Sequence, residues 1–228
     1  MTRVDEIATN EPPVLEKEAD GTPTTMSPPV VALRRRTIDT VLIGVGTVCV
    51  AVLAIAGGLL TWGHNFASDY VHDELSSQNV YFPDEAALQK EGRTDLVRFA
   101  GDQVTTGPQA EAYASYIGHH LEGIAGGATY ADLGKPESAA KAAVQAAKDR
   151  GQSGAAVADL QAKADAVTNQ RNTLFKGETL RGLLLSSYAW STIGRIAGVA
   201  AVVAFVAAGV MAVLVGLGIV HRVRTRQT

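Results

Sequence analysis

The stretch VLIGVGTVCVAVLAIAGGLL, Val41 to Leu60, decides the fold of this chain. It runs for 20 residues without a formal charge, and a second stretch, IAGVAAVVAFVAAGVMAVLVGLGIV, Ile196 to Val220, runs for 25. A bilayer core takes about 20 consecutive apolar residues as helix, so each run is long enough to span. Arg34, Arg35 and Arg36 stand just before the first run, and His221, Arg222, Arg224 and Arg226 just after the second. Short flanking clusters of arginine and lysine favour the cytoplasmic side. Each cluster places its own terminus inside, and an even number of spans agrees. The pattern predicts a hairpin in the plasma membrane with residues 63–192 outside.

A cleaved signal peptide competes for the first run, because Ala54-Ile55-Ala56 resembles a cleavage site. A signal core is about 7–15 residues, however, and here Gly57, Gly58, Leu59 and Leu60 carry the apolar run onward. The run reads as an uncleaved anchor. Cys49, the single cysteine, lies inside it and reads as a small apolar residue. With no second cysteine, an exported segment must hold its fold by packing alone.

Aromatic residues support the same threading. Trp62 ends the first run, and Tyr188 and Trp190 precede the second, so all three are expected at the outer interface, where amphipathic rings sit. Arg195 is expected to snorkel from the outer edge of the second span, and Asp39 to mark the inner end of the first. The expected class is an all-α membrane protein. Its parts are a disordered cytoplasmic tail at 1–36, a span at 37–62, a helical extracytoplasmic domain at 63–192, a span at 193–220 and a cytoplasmic tail at 221–228.

The tail reading rests on composition. Residues 1–30 hold five of the eight prolines, and their acids outnumber Arg3 and Lys17 to a net charge of −4. Met26 offers a second start with the same threading. The positive charge sits beside the apolar runs, so nothing forms a basic footprint for nucleic acid. The expected partners are the lipid bilayer and other membrane proteins.

Within 63–192, Phe66 with Tyr70 and Val71 with Leu75 extend the first helix beyond Trp62. Pro83-Asp84-Glu85 reads as a helix start, with the proline in its first turn. Ala110, Tyr113, Ala114, Ile117, Leu121 and Ile124 form one helical stripe that ends at Gly126 and Gly127. Residues 137–150 are almost all alanine with Lys and Glu, a strong helix former that buries little, and so are expected to be peripheral or weakly anchored. Val157, Leu160, Ala164, Val167 and Leu174 repeat at spacings suited to an antiparallel helical pair. The dense segment 174–193 is expected to lie against the membrane surface or the first outer helix, and then turn into the second span.

One pattern carries a packing mechanism. Ala200, Ala204, Ala208, Ala212 and Gly216 recur every four residues, as do Ala54 and Gly58 in the first span, and small residues at that spacing let helices approach closely. The spans are expected to pack together or on a partner's helix. Asp69, His72 and Asp73, with the adjacent His119 and His120, are the only metal-ligand candidates, and their spacing does not make a three-ligand zinc site. Glu74, Glu111 and Glu122 read as helix-face acids. No G-x-S-x-G elbow, H-E-x-x-H pair or phosphate loop is present. No catalytic residue, cofactor or metal is expected.

The run from Thr173 to Leu185, TLFKGETLRGLLL, resembles a family of two-span actinobacterial membrane proteins. So do Phe99-Ala100-Gly101, Ala112-Tyr113-Ala114 and Thr129-Tyr130-Ala131-Asp132, and the likeness covers most of 37–222. Members carry the label of a ring-opening dioxygenase subunit, yet the two-histidine, one-carboxylate site of a non-haem iron oxygenase has no matching spacing here. Actinobacterial two-span proteins of this size include accessory subunits of the respiratory supercomplex. A helix-rich outer domain, a packing stripe and no catalytic constellation lead to the expectation of a non-enzymatic accessory or scaffolding subunit of a cell-envelope complex, and the resemblance adds a respiratory complex by analogy. The alternatives are an extracytoplasmic ligand-sensing domain, or a metal-dependent envelope enzyme built on His72 and His119.

Overall fold

The computed structural model describes residues 35–224. The expected tail at 1–34 with Arg34, the side chains of Arg35 and Arg36, and residues 225–228 with Arg226 lie outside the described residues. Five helices follow in order: α1 (Arg35–Ser77), α2 (Glu85–Lys90), α3 (Gly107–Ile124), α4 (Gly134–Asp149) and α5 (Gly154–Arg224). A short 3-10 helix, Thr94–Phe99, lies between α2 and α3. Among the described residues there is no strand, only an isolated bridge between Tyr81 and Gln103. Helices α1 and α5 are each long and apolar enough to cross a membrane.

Local chemistry sets the ends. Helix α1 stops at Ser77, and Asn79 then takes the left-handed conformation (φ 51°) that asparagine tolerates better than most residues. Asp84 caps α2 by accepting the Ala87 N–H at 2.8 Å, so Pro83 sits one residue before the cap and outside the first turn. Thr106 and Gln109 form a reciprocal capping box at the start of α3.

Helix α5 is the axis of the molecule. It is 71 residues long, about 107 Å at 1.5 Å per residue. Packing pairs set the arrangement around it: Gly57 faces Phe205, His64 faces Gly194 and Gly198, Gly107 abuts Ser191, Leu121 sits over Gly177, and Glu137 meets Arg171. Helices α1, α3 and α4 thus run antiparallel to α5 and take successive stretches of it. The buried positions Ala164, Leu174, Leu184 and Gly194 recur every ten residues. At 100° per residue each step falls about 80° short of three turns, so the packed face winds around α5 from one partner helix to the next.

This corrects the expected bend before the second span. The chain passes Ile193 without a break, because each stretch of α5 has a partner on its own face while Lys176 and Glu178 stay exposed. It also separates the expected interface anchors. In the antiparallel register Trp62 lies level with Ala200, and Trp190 with His72. Ten residues, about 15 Å, divide the two indoles along the axis.

A compact core forms beyond the two apolar runs. Leu88, Leu96, Phe82 and Val104 from the 78–106 segment pack on Val71 and Leu75 of α1, Ala110 and Ala114 of α3 and Leu184 of α5. The Phe82 ring stacks on Phe99 and meets Tyr113 edge-on, each at 5.2 Å between centroids. Arg93 pins this segment to α3: its Nη1 donates to the Ser115 carbonyl at 3.1 Å, and Nε and Nη2 grip the Asp95 carboxylate at 3.0 and 2.9 Å. The guanidinium holds the Asp95 carboxyl below its usual range.

Helix α4 is better anchored than its alanine content suggests. Glu137 is buried and takes donors from Arg171 Nη1 at 2.6 Å, Lys141 Nζ at 2.6 Å and Thr168 Oγ1 at 3.0 Å. Hydrogen bonds from Lys141, Arg171 and Thr168 pull its carboxyl down to about 2. A depressed carboxylate stabilises the folded state above its unfolded pKa and loses that contribution as pH falls toward the folded value. Hydrogen exchange is therefore expected to show α4 protected at neutral pH and loosening as pH falls from about 4.5 to about 2, while α3 keeps its protection. Glu137→Gln should remove that acid dependence.

Candidate functional site

The closest approach of two long helices is the seam between α1 and α5, and glycine makes it. A Cβ at Gly46 would lie 2.5 Å from Val215, and one at Gly57 2.9 Å from the Phe205 ring. On α5, a Cβ at Gly194 would lie 2.9 Å from Ala67, and one at Gly198 3.0 Å from the His64 ring. Gly194 and Gly198 thus form a small-xxx-small pair that admits the backbone of α1.

His64 closes the seam with a polar clasp. Its Nδ1 lies 2.8 Å from the Gly194 carbonyl, which can only accept, so the contact takes the Nδ1–H tautomer. Hydroxyls in the apolar stretch are satisfied within their own helix: Thr47 donates to the Ile43 carbonyl and Thr61 to Gly57, each at 2.8 Å.

The seam uses part of the predicted small-residue series. Ala204 and Ala208 are buried in it, together with Ala201, while Ala200 and Gly216 are half-buried. Ala212 and Ala54 are exposed, and a Cβ at Gly58 would meet nothing. A strict four-residue repeat advances about 40° per step and so leaves any one face within a few steps. The seam instead follows Ala201, Ala204, Ala208, Met211, Val215 and Gly218, at spacings of three and four.

The aromatic anchors divide. Trp62 and Trp190 are exposed, whereas Tyr188 is half-buried, with its backbone against Gly107 at the start of α3. Trp62, Phe66 and Tyr70 stack in succession along α1, with centroids 5.6 and 6.2 Å apart. Arg195 is exposed. Of the basic cluster in the last turn of α5, Arg222 is half-buried and Arg224 exposed.

His72 is exposed on α1, and His119 and His120 are exposed on α3. His120 faces Glu91 at 3.6 Å. Among the described residues no three His, Cys, Asp or Glu side chains come together as a metal site. Cys49 is half-buried in the apolar part of α1 and unpaired with any other cysteine.

Three residues that matter here escaped the sequence reading: His64, Gly198 and Glu137. The Gly194-Gly198 pair is visible as a spacing, but it straddles Arg195 and the start of the apolar run at Ile196. His64 meets Gly194, 130 positions away, and Glu137 meets Arg171, 34 positions away, besides its neighbour Lys141. Comparison with known proteins finds no matching family model, curated protein or solved structure.

Proposed function

We propose that this chain is a non-enzymatic accessory or scaffolding subunit of a membrane complex in the cell envelope, with both termini cytoplasmic and residues 63–192 outside. The observation that carries this reading is the aromatic ladder on α1. If the bilayer core ends near Leu60, Phe66 and Tyr70 stand about 9 and 15 Å beyond it. Both are more than half or half exposed, at 54% and 50%. Leu183 and Trp190 of α5 are exposed as well, at 63% and 47%. Apolar surface of this extent above the bilayer core suits contact with another protein. The arginine bias supports the orientation, and the resemblance to two-span actinobacterial proteins supports the class.

The test is purification of the tagged full chain from its native membrane in mild detergent, with co-eluting proteins identified and quantified. A stoichiometric membrane partner is expected, and Phe66→Ser with Tyr70→Ser should release it. A clean monomer under gentle conditions overturns the reading.

A further inference from the structure

A polar cleft opens between α3, the 125–133 connection and α5, away from the span seam. Two adjoining cavities form it, of about 520 and 470 Å³, and Gly118, Glu122 and Arg181 line both. Ligand pockets run to roughly 300–1,000 Å³. Leu121 and Leu174 give the first cavity an apolar floor, and His119 borders the second.

The two arginines in the cleft differ in what they have left to give. Arg93 directs its donors to Asp95 and Ser115, so it is a structural pin. Arg181 sends only Nη1 to Glu178, at 3.2 and 3.3 Å, the long end of hydrogen bonding. Its Nε and Nη2 have no recorded hydrogen-bond partner among the described residues. Those two N–H groups form the edge of the guanidinium fork that takes a carboxylate in two parallel bonds. Gly118 leaves the room: a Cβ there would lie 3.3 Å from Arg181 Nε. The Glu122 carboxylate likewise has no hydrogen bond or ion pair among the described residues, while its backbone carbonyl accepts from Gly127.

An open cationic fork and an open carboxylate therefore share one cleft. A simple anion would meet Glu122 and Glu178 beside Arg181, and a simple cation would meet Arg181 beside Glu122. A solute carrying both charges satisfies both. We propose that the cleft binds a small zwitterion, with the ligand carboxylate on Arg181 and its ammonium on Glu122. Free amino acids and short peptides carry that chemistry. The Arg181–Glu178 pair is exposed on both sides, so its rearrangement costs little.

The test uses the full chain in nanodiscs with isothermal titration. The probes are alanine, leucine, glutamine, dialanine and two capped controls, N-acetylalanine and alanine amide. At least one uncapped probe should bind, and capping either end should abolish it. Arg181→Gln and Glu122→Gln should each weaken binding by about tenfold or more. Gly118→Ala, which crowds Arg181 without removing it, should weaken it too. Circular dichroism checks that each variant keeps its helices. Preference for alanine over dialanine identifies a free amino acid, and the reverse a peptide; either supports the proposal. Silence from every uncapped probe, equal binding of N-acetylalanine, or undiminished binding by Glu122→Gln overturns it. None of these outcomes bears on the membrane-subunit reading, which rests on a different surface.

Discussion

Gly57→Leu is expected to destabilise the α1–α5 seam by about 2 kcal/mol, while Gly58→Leu leaves it unchanged. The two glycines are neighbours in sequence and opposite in environment. The Phe205 ring lies 2.9 Å from where a Cβ would sit at Gly57, and nothing lies within 4 Å at Gly58. Overpacking a closely fitted contact costs about 1–3 kcal/mol, because the ring or the whole helix must move. Helix propensity rises equally in both variants, so it cancels in the comparison. Thermal unfolding in one detergent reads the difference directly. Equal midpoints for the two variants would show that the close approach at Gly57 does not exist. Phe205→Ala combined with Gly57→Leu should recover much of the loss, since the smaller side chain frees the space.

Leu88→Ala is expected to cost about 3 kcal/mol and to act far from the spans. Leu88 is 0% exposed and sits among Val71, Leu75, Phe82 and Leu184. Truncating a buried leucine removes its transfer energy and leaves a cavity, for a total of about 2–5 kcal/mol. The segment 78–106 has no long helix of its own to fall back on, so the loss should appear as local opening. Hydrogen exchange is expected to quicken across α2, the 3-10 turn and the first turns of α3. The apolar part of α1 and α5 should keep its protection. Loss of protection along the whole of α5 would contradict this division between core and seam.

Much of this architecture was written in the sequence where one periodicity held over a whole element. The α3 stripe from Ala110 to Ile124 faces inward throughout, since one helix of that length meets one partner surface. The two apolar runs stand in the two longest helices. Helix α5 was harder to see whole, because its buried face rotates as its partner changes from α4 to α3 to α1. No single stripe persists over its length, and shorter stripes read as separate helices with a bend between them. The cleft was illegible for another reason. Glu122 and Arg181 are ordinary charged residues on two helical faces until the antiparallel crossing of α3 and α5 sets them around one cavity.

The unbroken run of α5 has a mechanical meaning. Ahead of the second apolar run, Ile196 to Val220, lie 42 residues of this helix, Gly154 to Arg195, about 63 Å. No proline interrupts it, and α4, α3 and α1 pack against successive stretches of it. If the second apolar run spans a bilayer, such a rod is a lever with its fulcrum at the membrane surface. A change of roughly 10° in the tilt of the span swings the far tip by about 11 Å. Under that threading, any change in the angle is magnified along the length of the helix into a displacement at its tip.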